Sequence, residues 1–152
     1  EGMLVKLKGP AASLVRNTCG EFSLQGTMGL IEKASLMITN DSGLYHIATS
    51  FGVPVISLWG PVSPHHYADI RNSDDFIFYS QDIYCSPCVH RTHFPPCKGN
   101  NVCMKSIAPE RVYKKACEIL GLPASPDLVD MREIYENEGL SDLDIIIRGR
   151  PR

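Results

Sequence analysis

The segment Thr39-Asn40-Asp41-Ser42-Gly43-Leu44-Tyr45-His46 brings a carboxylate, hydroxyls, a glycine and an imidazole within one short stretch. Ahead of it, Leu36-Met37-Ile38-Thr39 is an apolar run of strand length; after it, Leu44, His46, Ile47, Ala48 and Phe51 supply the apolar and mixed faces of a helix. Asn40-Asp41-Ser42-Gly43 favours a tight turn between the two. A helix start offers unpaired backbone N–H groups and a partial positive charge, so this turn suits an anion such as a diphosphate. Gly43 lets a ligand come close to the backbone, Ser42 can donate its hydroxyl, and His46, one turn into the helix, can face the same place. Asp41 repels a phosphate, so its roles are to cap the helix or to accept from a sugar hydroxyl. Asp-Ser-Gly is also a frequent capping sequence, and His46 can be an ordinary packed histidine. The motif by itself leaves both readings open.

The elements that must position this turn are legible on either side. Ser23 can cap a helix carrying Leu24, Met28, Leu30, Ile31 and Ala34. Gly52 ends the second helix, and Val53-Pro54 leads into a strand, Val55-Ile56-Ser57-Leu58-Trp59. Short strands without polar alternation, each beside a helix, predict a parallel sheet covered on both faces. Beyond Gly60-Pro61, Ser63-Pro64-His65-His66 reads as a polar loop at the same sheet edge as the Asp41 turn; its histidines could meet an acceptor or a phosphate, but are more often ordinary exposed residues, and Phe76-Ile77-Phe78-Tyr79 reads as a last strand. Trp59 is expected in the core beneath the loop. Pro109 opens a helix through Val112, Ala116, Ile119 and Leu120, closed by Gly121. A further helix is expected from Ser125-Pro126 to about Gly139, and the tail from Ser141 to Arg152 is left unassigned. The expected division is a Rossmann-like portion over 1–84, a cysteine-rich loop lobe over 85–104, and C-terminal helices with a tail over 105–152.

The chain has 152 residues, 43% of them hydrophobic, enough for one core and too few for two domains. Its formal net charge of −2 supplies no global basic field for nucleic acid. The longest apolar stretch falls short of the roughly 20 residues a bilayer span needs. No charged-then-apolar signal segment opens the chain, so the expectation is a soluble protein that is not secreted.

Four of the six cysteines, Cys85, Cys88, Cys97 and Cys103, fall in one segment between Tyr84 and Met104, with three prolines and two histidines. Clustered cysteines without a signal point to a reduced compartment and to a metal site or free thiols, with disulfides the third option. The spacing admits a structural zinc on Cys85, Cys88, Cys97 and Cys103, with His90 or His93 as substitutes. A thioredoxin-like role for Cys85-Ser86-Pro87-Cys88 lacks the strand-to-helix context that chemistry needs.

Residues 23–64 resemble the C-terminal half of glycosyltransferase family nine, the ADP-heptose:lipopolysaccharide heptosyltransferases. The resemblance rests on Ser23-Leu24, Ile38-Thr39-Asn40-Asp41-Ser42-Gly43, His46-Ile47-Ala48, Gly52-Val53-Pro54-Val55 and Trp59-Gly60-Pro61-Val62-Ser63-Pro64, taken in order. Cys85-Ser86-Pro87-Cys88, Cys97, Cys103-Met104 and Ile107-Ala108-Pro109-Glu110-Arg111-Val112 continue it. It implies an α/β fold, the partial Rossmann-like C-terminal domain of a GT-B glycosyltransferase. By position, Asp41, Ser42, Gly43 and His46 would hold the donor diphosphate and adjoining sugar. Phe22 would line the adenine pocket, and Gly60, Pro61 and Ser63 would shape the neighbouring loop. The implied reaction moves heptose to the lipopolysaccharide inner core with inversion and no required cofactor or catalytic metal, in the cytoplasm or peripherally at the inner face of the bacterial inner membrane.

The resemblance also implies that this chain is a donor-binding half that is inactive alone, because the acceptor pocket and general base belong to the family's N-terminal domain. The first strand, turn and helix of the C-terminal domain, with the family's phosphate-binding lysine, have no match; Lys6 and Lys8 stand in a different context. Two other readings share features with this one. GT-B-type nucleotide-sugar 2-epimerases also carry Asp-Ser-Gly before a helix, but continue with Gly and Gln-Glu where this chain has Leu44-Tyr45-His46. A zinc-stabilised interaction module would use the Asp41 turn only as a cap.

Overall fold

In a computed structural model, residues 14–68, 75–80, 82–89 and 91–124 are described. Ser23 opens α1 (Leu24–Glu32), its Oγ accepting from Gly26 N–H at 3.3 Å. The strands β1 (Met37–Asn40), β2 (Val55–Trp59) and β3 (Phe76–Tyr79) form a parallel sheet in the order β1-β2-β3. Met37 stands opposite Val55, and Ile56 opposite Phe76. β1 thus starts one residue later than the apolar run suggests. Asp75 accepts from Val55 N–H at 3.0 Å and satisfies the start of the middle strand.

Between β1 and β2 lies α2 (Gly43–Ser50). It ends at Gly52, whose φ of +71° favours glycine, and Val53 N–H returns to Ala48 O at 3.1 Å. Alternation along the strands separates two faces. Met37, Val55, Ile77, Trp59 and Tyr79 face α1 and α2, where Ile31, Tyr45 and Ala48 complete the core. On the other face α5 (Pro109–Leu120) lays Arg111 over the Phe78 ring at 5.4 Å and Lys115 over the Phe76 ring at 4.5 Å. Gly121 closes α5, with φ +64° and Leu122 N–H on Cys117 O at 2.8 Å.

β2 is buried along nearly its whole length, as a covered parallel strand should be, but β1 is not: Ile38 is 48% exposed. Double coverage therefore holds for the middle strand and fails at the β1 edge among the described residues. Two short helices also replace expected loops. Ser63-Pro64-His65-His66 enters the one-turn helix α3 (Pro64–Tyr67), where Pro64 supplies a preset first-turn φ and Ala68 N–H reaches Pro64 O at 2.8 Å. Cys103 lies in α4 (Val102–Lys105). The helix expected from Ser125, the tail and His90 lie outside the described residues.

The segment after β3 is tied to the sheet at the Gly60-Pro61 junction. Ser86 Oγ donates to Gly60 O at 2.6 Å, and the N–H groups of Cys88 and Val89 both reach Pro61 O, at 3.0 and 2.9 Å. Ser80 Oγ donates to Cys103 O at 2.6 Å and holds α4 against the end of β3. Gly60 is buried between these parts; a Cβ there would stand 2.7 Å from Cys103 Sγ and 2.9 Å from Met104 Sδ. Its backbone lies outside the left-handed region, so the need for glycine is one of space alone.

Gly60→Ala is expected to destabilise the chain by about 1–3 kcal/mol, the usual cost of overpacking. Shrinking the neighbour in Gly60→Ala/Cys103→Ala should recover part of that loss. Chemical denaturation of the single and double variants checks this, and a Gly60→Ala chain as stable as the parent would refute the close-packing account.

Candidate functional site

All three strands point their C-terminal ends to one edge, where open α/β sheets bind ligands. A cavity of about 300 Å³ lies there, lined by Asp41, Ser42, Gly43 and His46 with Trp59, Val62 and Tyr67. Four residues singled out in the sequence are therefore brought together. Asp41 and Ser42 follow β1, Gly43 begins α2, and His46 stands one turn later on the same helix.

The start of α2 is open. Ser42 occupies the N-cap position but forms no side-chain capping bond, and its Oγ lies 3.3 Å from Thr39 Oγ1 instead. Tyr45 N–H is satisfied by Ser42 O at 3.0 Å. A Cβ on Gly43 would meet nothing within 4 Å, so the glycine leaves free space in front of the first helical turn. The alternative that the turn serves only as a capping sequence finds no side-chain cap at the N-cap residue, Ser42. What remains is a helix start whose positive end faces the cavity.

The floor is rigid. Tyr45, absent from the helix face read from sequence, is 1% exposed; Trp59 is equally buried, with the two rings edge to face at 5.7 Å. Such a pair contributes about 0.5–1.5 kcal/mol beyond area burial. Trp59 Nε1–H donates to Ser57 Oγ at 2.8 Å, satisfying both buried polar groups. The His46 ring packs edge to face on Tyr45 at 5.1 Å, while its backbone carbonyl accepts from Thr49 Oγ1 and Ser50 Oγ. His46 is thus an exposed cavity residue braced by a buried one, which distinguishes it from a packed core histidine.

The remaining candidates divide. Ser63 lines a second cavity, of about 600 Å³, that shares Val62 and Tyr67 with the first. Gly60 and Pro61 line neither cavity; they join the sheet to the segment that walls the second one. Phe22 is 43% exposed and packs over Gly26 on α1, away from the lining of both cavities. Tyr67, Tyr79, Ser86 and Arg91 were missed by sequence reading. Arg91 stands in a segment without periodicity, and only its position near Cys88 could have drawn notice.

All six cysteines are free thiols, and among the described residues no group of three or more His, Cys, Asp or Glu side chains could hold a metal ion. The expected zinc geometry of Cys85, Cys88, Cys97 and Cys103 is therefore not formed by these residues. Cys103 is buried against Gly60, and Cys88 is buried with its backbone committed to Pro61. Burial, then the neighbouring Cys97 and Cys88, push the Cys85 thiol up. At Cys97 desolvation acts the same way, but the backbone N–H groups of Asn101, Gly99, Val102 and Asn100 outweigh it and hold the thiol below its ordinary value.

Partial burial raises the Asp41 carboxyl above the ordinary carboxylate value, against a smaller opposing effect of its own backbone N–H. The folded chain therefore binds a proton here more readily than the unfolded one, and stability falls as pH rises from the ordinary carboxylate range through the raised value. Asp41→Asn keeps an acceptor for the amide and removes the charge. The variant is expected to melt higher at neutral pH, to match the parent at about pH 3, below the ordinary carboxylate range, and to lose this part of the pH dependence. Thermal melts across that interval check it; a lower midpoint for the variant at neutral pH would contradict the sign.

Comparisons with known proteins identify the family of the chain. Glycosyltransferase family 9 (heptosyltransferase) matches residues 5–98, more than half of the chain and all of the cavity-forming turn. A lipooligosaccharide heptosyltransferase 2 of Campylobacter jejuni (serotype O:2) is 29% identical over 106 residues, 70% of this chain and 32% of that protein. A lipopolysaccharide heptosyltransferase 2 of Salmonella typhimurium is 37% identical over 62 residues, 41% of this chain and 18% of that protein. The corresponding protein of Escherichia coli K12 is 43% identical over 49 residues, 32% of this chain and 14% of that protein. The chain thus spans about a third or less of the length of the curated relatives it matches. No solved structure matches it. Through the matched segment, which carries the parallel sheet, the Asp41 turn and the start of α2, the chain belongs to glycosyltransferase family 9.

Proposed function

We propose that this chain is the sugar-nucleotide-binding part of a heptosyltransferase, with ADP-heptose as donor and the lipopolysaccharide inner core as acceptor. The observation that carries the reading is the open start of α2 facing a cavity lined by Asp41, Ser42, Gly43 and His46. The diphosphate sits against the amides at that helix start, where the backbone supplies donors and the helix a partial positive charge. Ser42 donates its hydroxyl to a phosphate oxygen. Asp41, which repels phosphate, accepts from hydroxyls of the transferred sugar, and its desolvated carboxylate makes those bonds stronger.

Breaking the glycosidic bond leaves negative charge on the departing nucleoside diphosphate. Fixed donors at the helix start and the His46 imidazole stabilise that charge as it develops, with no reorganisation at the moment of reaction. In this reading the acceptor's general base stands on a facing domain, and the present chain binds donor without transferring it. No helix among the described residues is long and apolar enough to cross a membrane. Peripheral attachment at the membrane that carries the acceptor is part of the proposal.

ADP should raise the melting temperature of the chain, since a ligand that binds only the folded state stabilises it by mass action. Gly43→Ala is the sharper test because a Cβ there meets no neighbour. It should change stability by no more than about 0.5 kcal/mol. It should nevertheless weaken ADP at least about tenfold, or roughly 1.4 kcal/mol, by placing a methyl where the diphosphate approaches. Calorimetric titration of both chains measures this. Unchanged ADP affinity in a stable Gly43→Ala chain, or no ADP binding by the parent, would overturn the assignment.

A further inference from the structure

The first amides of α2 have two possible uses, and the chain carries a group suited to each. The N–H groups of Gly43 and Leu44 have no hydrogen-bond partner among the described residues, while Tyr45 N–H is engaged by Ser42 O. Ser42 stands at the N-cap with φ −141° and ψ 169°, the extended backbone from which a serine hydroxyl ordinarily accepts an amide of the first turn. With Tyr45 N–H already taken, the amide left for such a cap is that of Leu44. A hydroxyl in that bond covers a donor that an incoming anion needs. Capping and anion binding therefore compete for the same N–H.

Thr39 decides the competition. Alternation puts its side chain on the same face of β1 as Met37, the face packed on the helices, and it stands opposite Ser57 in β2. Its hydroxyl thus lies beneath the turn, with Thr39 Oγ1 and Ser42 Oγ 3.3 Å apart. Among the described residues neither hydroxyl has another partner. The Ser42 side chain is drawn towards the strand instead of forward over the helix start. In the free chain either hydroxyl can donate to the other. A phosphate removes that freedom because it only accepts: Ser42 gives it its single proton, and Thr39 then gives its own to Ser42 Oγ. Hydroxyls linked in this way polarise one another and strengthen the terminal bond.

We propose that Thr39 is a positioning residue of the donor site, which holds the Ser42 hydroxyl away from the helix cap and, once a diphosphate is seated, donates to Ser42 so that Ser42 donates to the phosphate. The inference rests on the donor reading of the Asp41 cavity for its ligand, and on the contact between Thr39 and Ser42 alone for the open cap. Thr39 touches no donor atom and acts only through Ser42. Without the Thr39 hydroxyl, Ser42 turns to the Leu44 amide, and the helix gains a cap where the site loses a donor.

The test combines amide hydrogen exchange of the ligand-free chain with calorimetric titration by ADP. It uses the parent, Thr39→Val, Thr39→Ala, Thr39→Ser, Ser42→Ala and the double variant Thr39→Val/Ser42→Ala. Thr39→Val keeps the β-branched shape suited to a strand and removes the hydroxyl; Thr39→Ala repeats the removal without the branch. In the free chain both should slow exchange at Leu44 about fivefold relative to the rest of α2, and the double variant should not. Both should weaken ADP about fivefold, and Thr39→Ser should restore the parent affinity. In the Ser42→Ala background Thr39→Val should cause no further loss, whereas a packing role for Thr39 would act equally with or without the Ser42 hydroxyl. Unaltered exchange at Leu44 or unaltered ADP affinity in the two hydroxyl-free variants, loss of affinity in Thr39→Ser, or additive losses in the double variant would each overturn the proposal. Failure of the donor reading shows separately: the parent then binds no ADP and the ligand assigned to Ser42 falls with it, while exchange at Leu44 still decides what holds the hydroxyl.

Discussion

The edge-to-face contact of Tyr45 with Trp59 holds the first turn of α2 over the C-terminal end of β2. Both rings are fully buried, and the indole N–H is spent on Ser57 rather than on a ligand. The helix start is thereby fixed from below while its amides remain open above. Preorganisation of this kind matters for an anion site, because donors that need no rearrangement retain more of their interaction with a charged group. Trp59 belongs to both the core and the cavity floor, so packing and binding share one side chain.

A second constraint organises the other side of the edge. Gly60 has no room for a side chain, and the carbonyls of Gly60 and Pro61 receive three hydrogen bonds from Ser86, Cys88 and Val89. The cysteine-bearing segment is bound to the sheet by its backbone, with Cys103 filling the space beneath Gly60. Its physical contribution is a wall for the larger cavity. Because both cavities meet at Val62 and Tyr67, the loop following β2 couples the two sides of the edge.

Much of this was legible from sequence because it is local. Ser23, Gly52 and Gly121 act at the positions where caps and stops were expected, and β2 and β3 have the bounds read from their apolar runs. The Asp41 turn was found because a strand, a turn and a helix start are adjacent in the chain. Helices α3 and α4 were missed because four residues give no helical period. Tyr45 was passed over although it forms a buried stripe with Ala48 and Thr49 at helical spacing. Ser86 reaches the cavity through its bond to Gly60 O, and Arg91 because its neighbours Cys88 and Val89 are bonded to Pro61 O; such long-range pairing leaves no periodic signal. The same reason applies to Gly60: the resemblance puts it in the loop beside the site, and its close approach to Cys103, far along the chain, shows only in the fold.

The central claim is that the start of α2 receives a nucleoside diphosphate. A crystal structure of the chain with ADP tests it most directly. The account predicts the diphosphate at the Gly43 and Leu44 amides, within hydrogen-bond reach of Ser42, with His46 beside it and the Tyr45–Trp59 pair unmoved. Diphosphate bound instead among Arg91, His65 and His66, or density absent from the Asp41 cavity at saturating ADP, would contradict it.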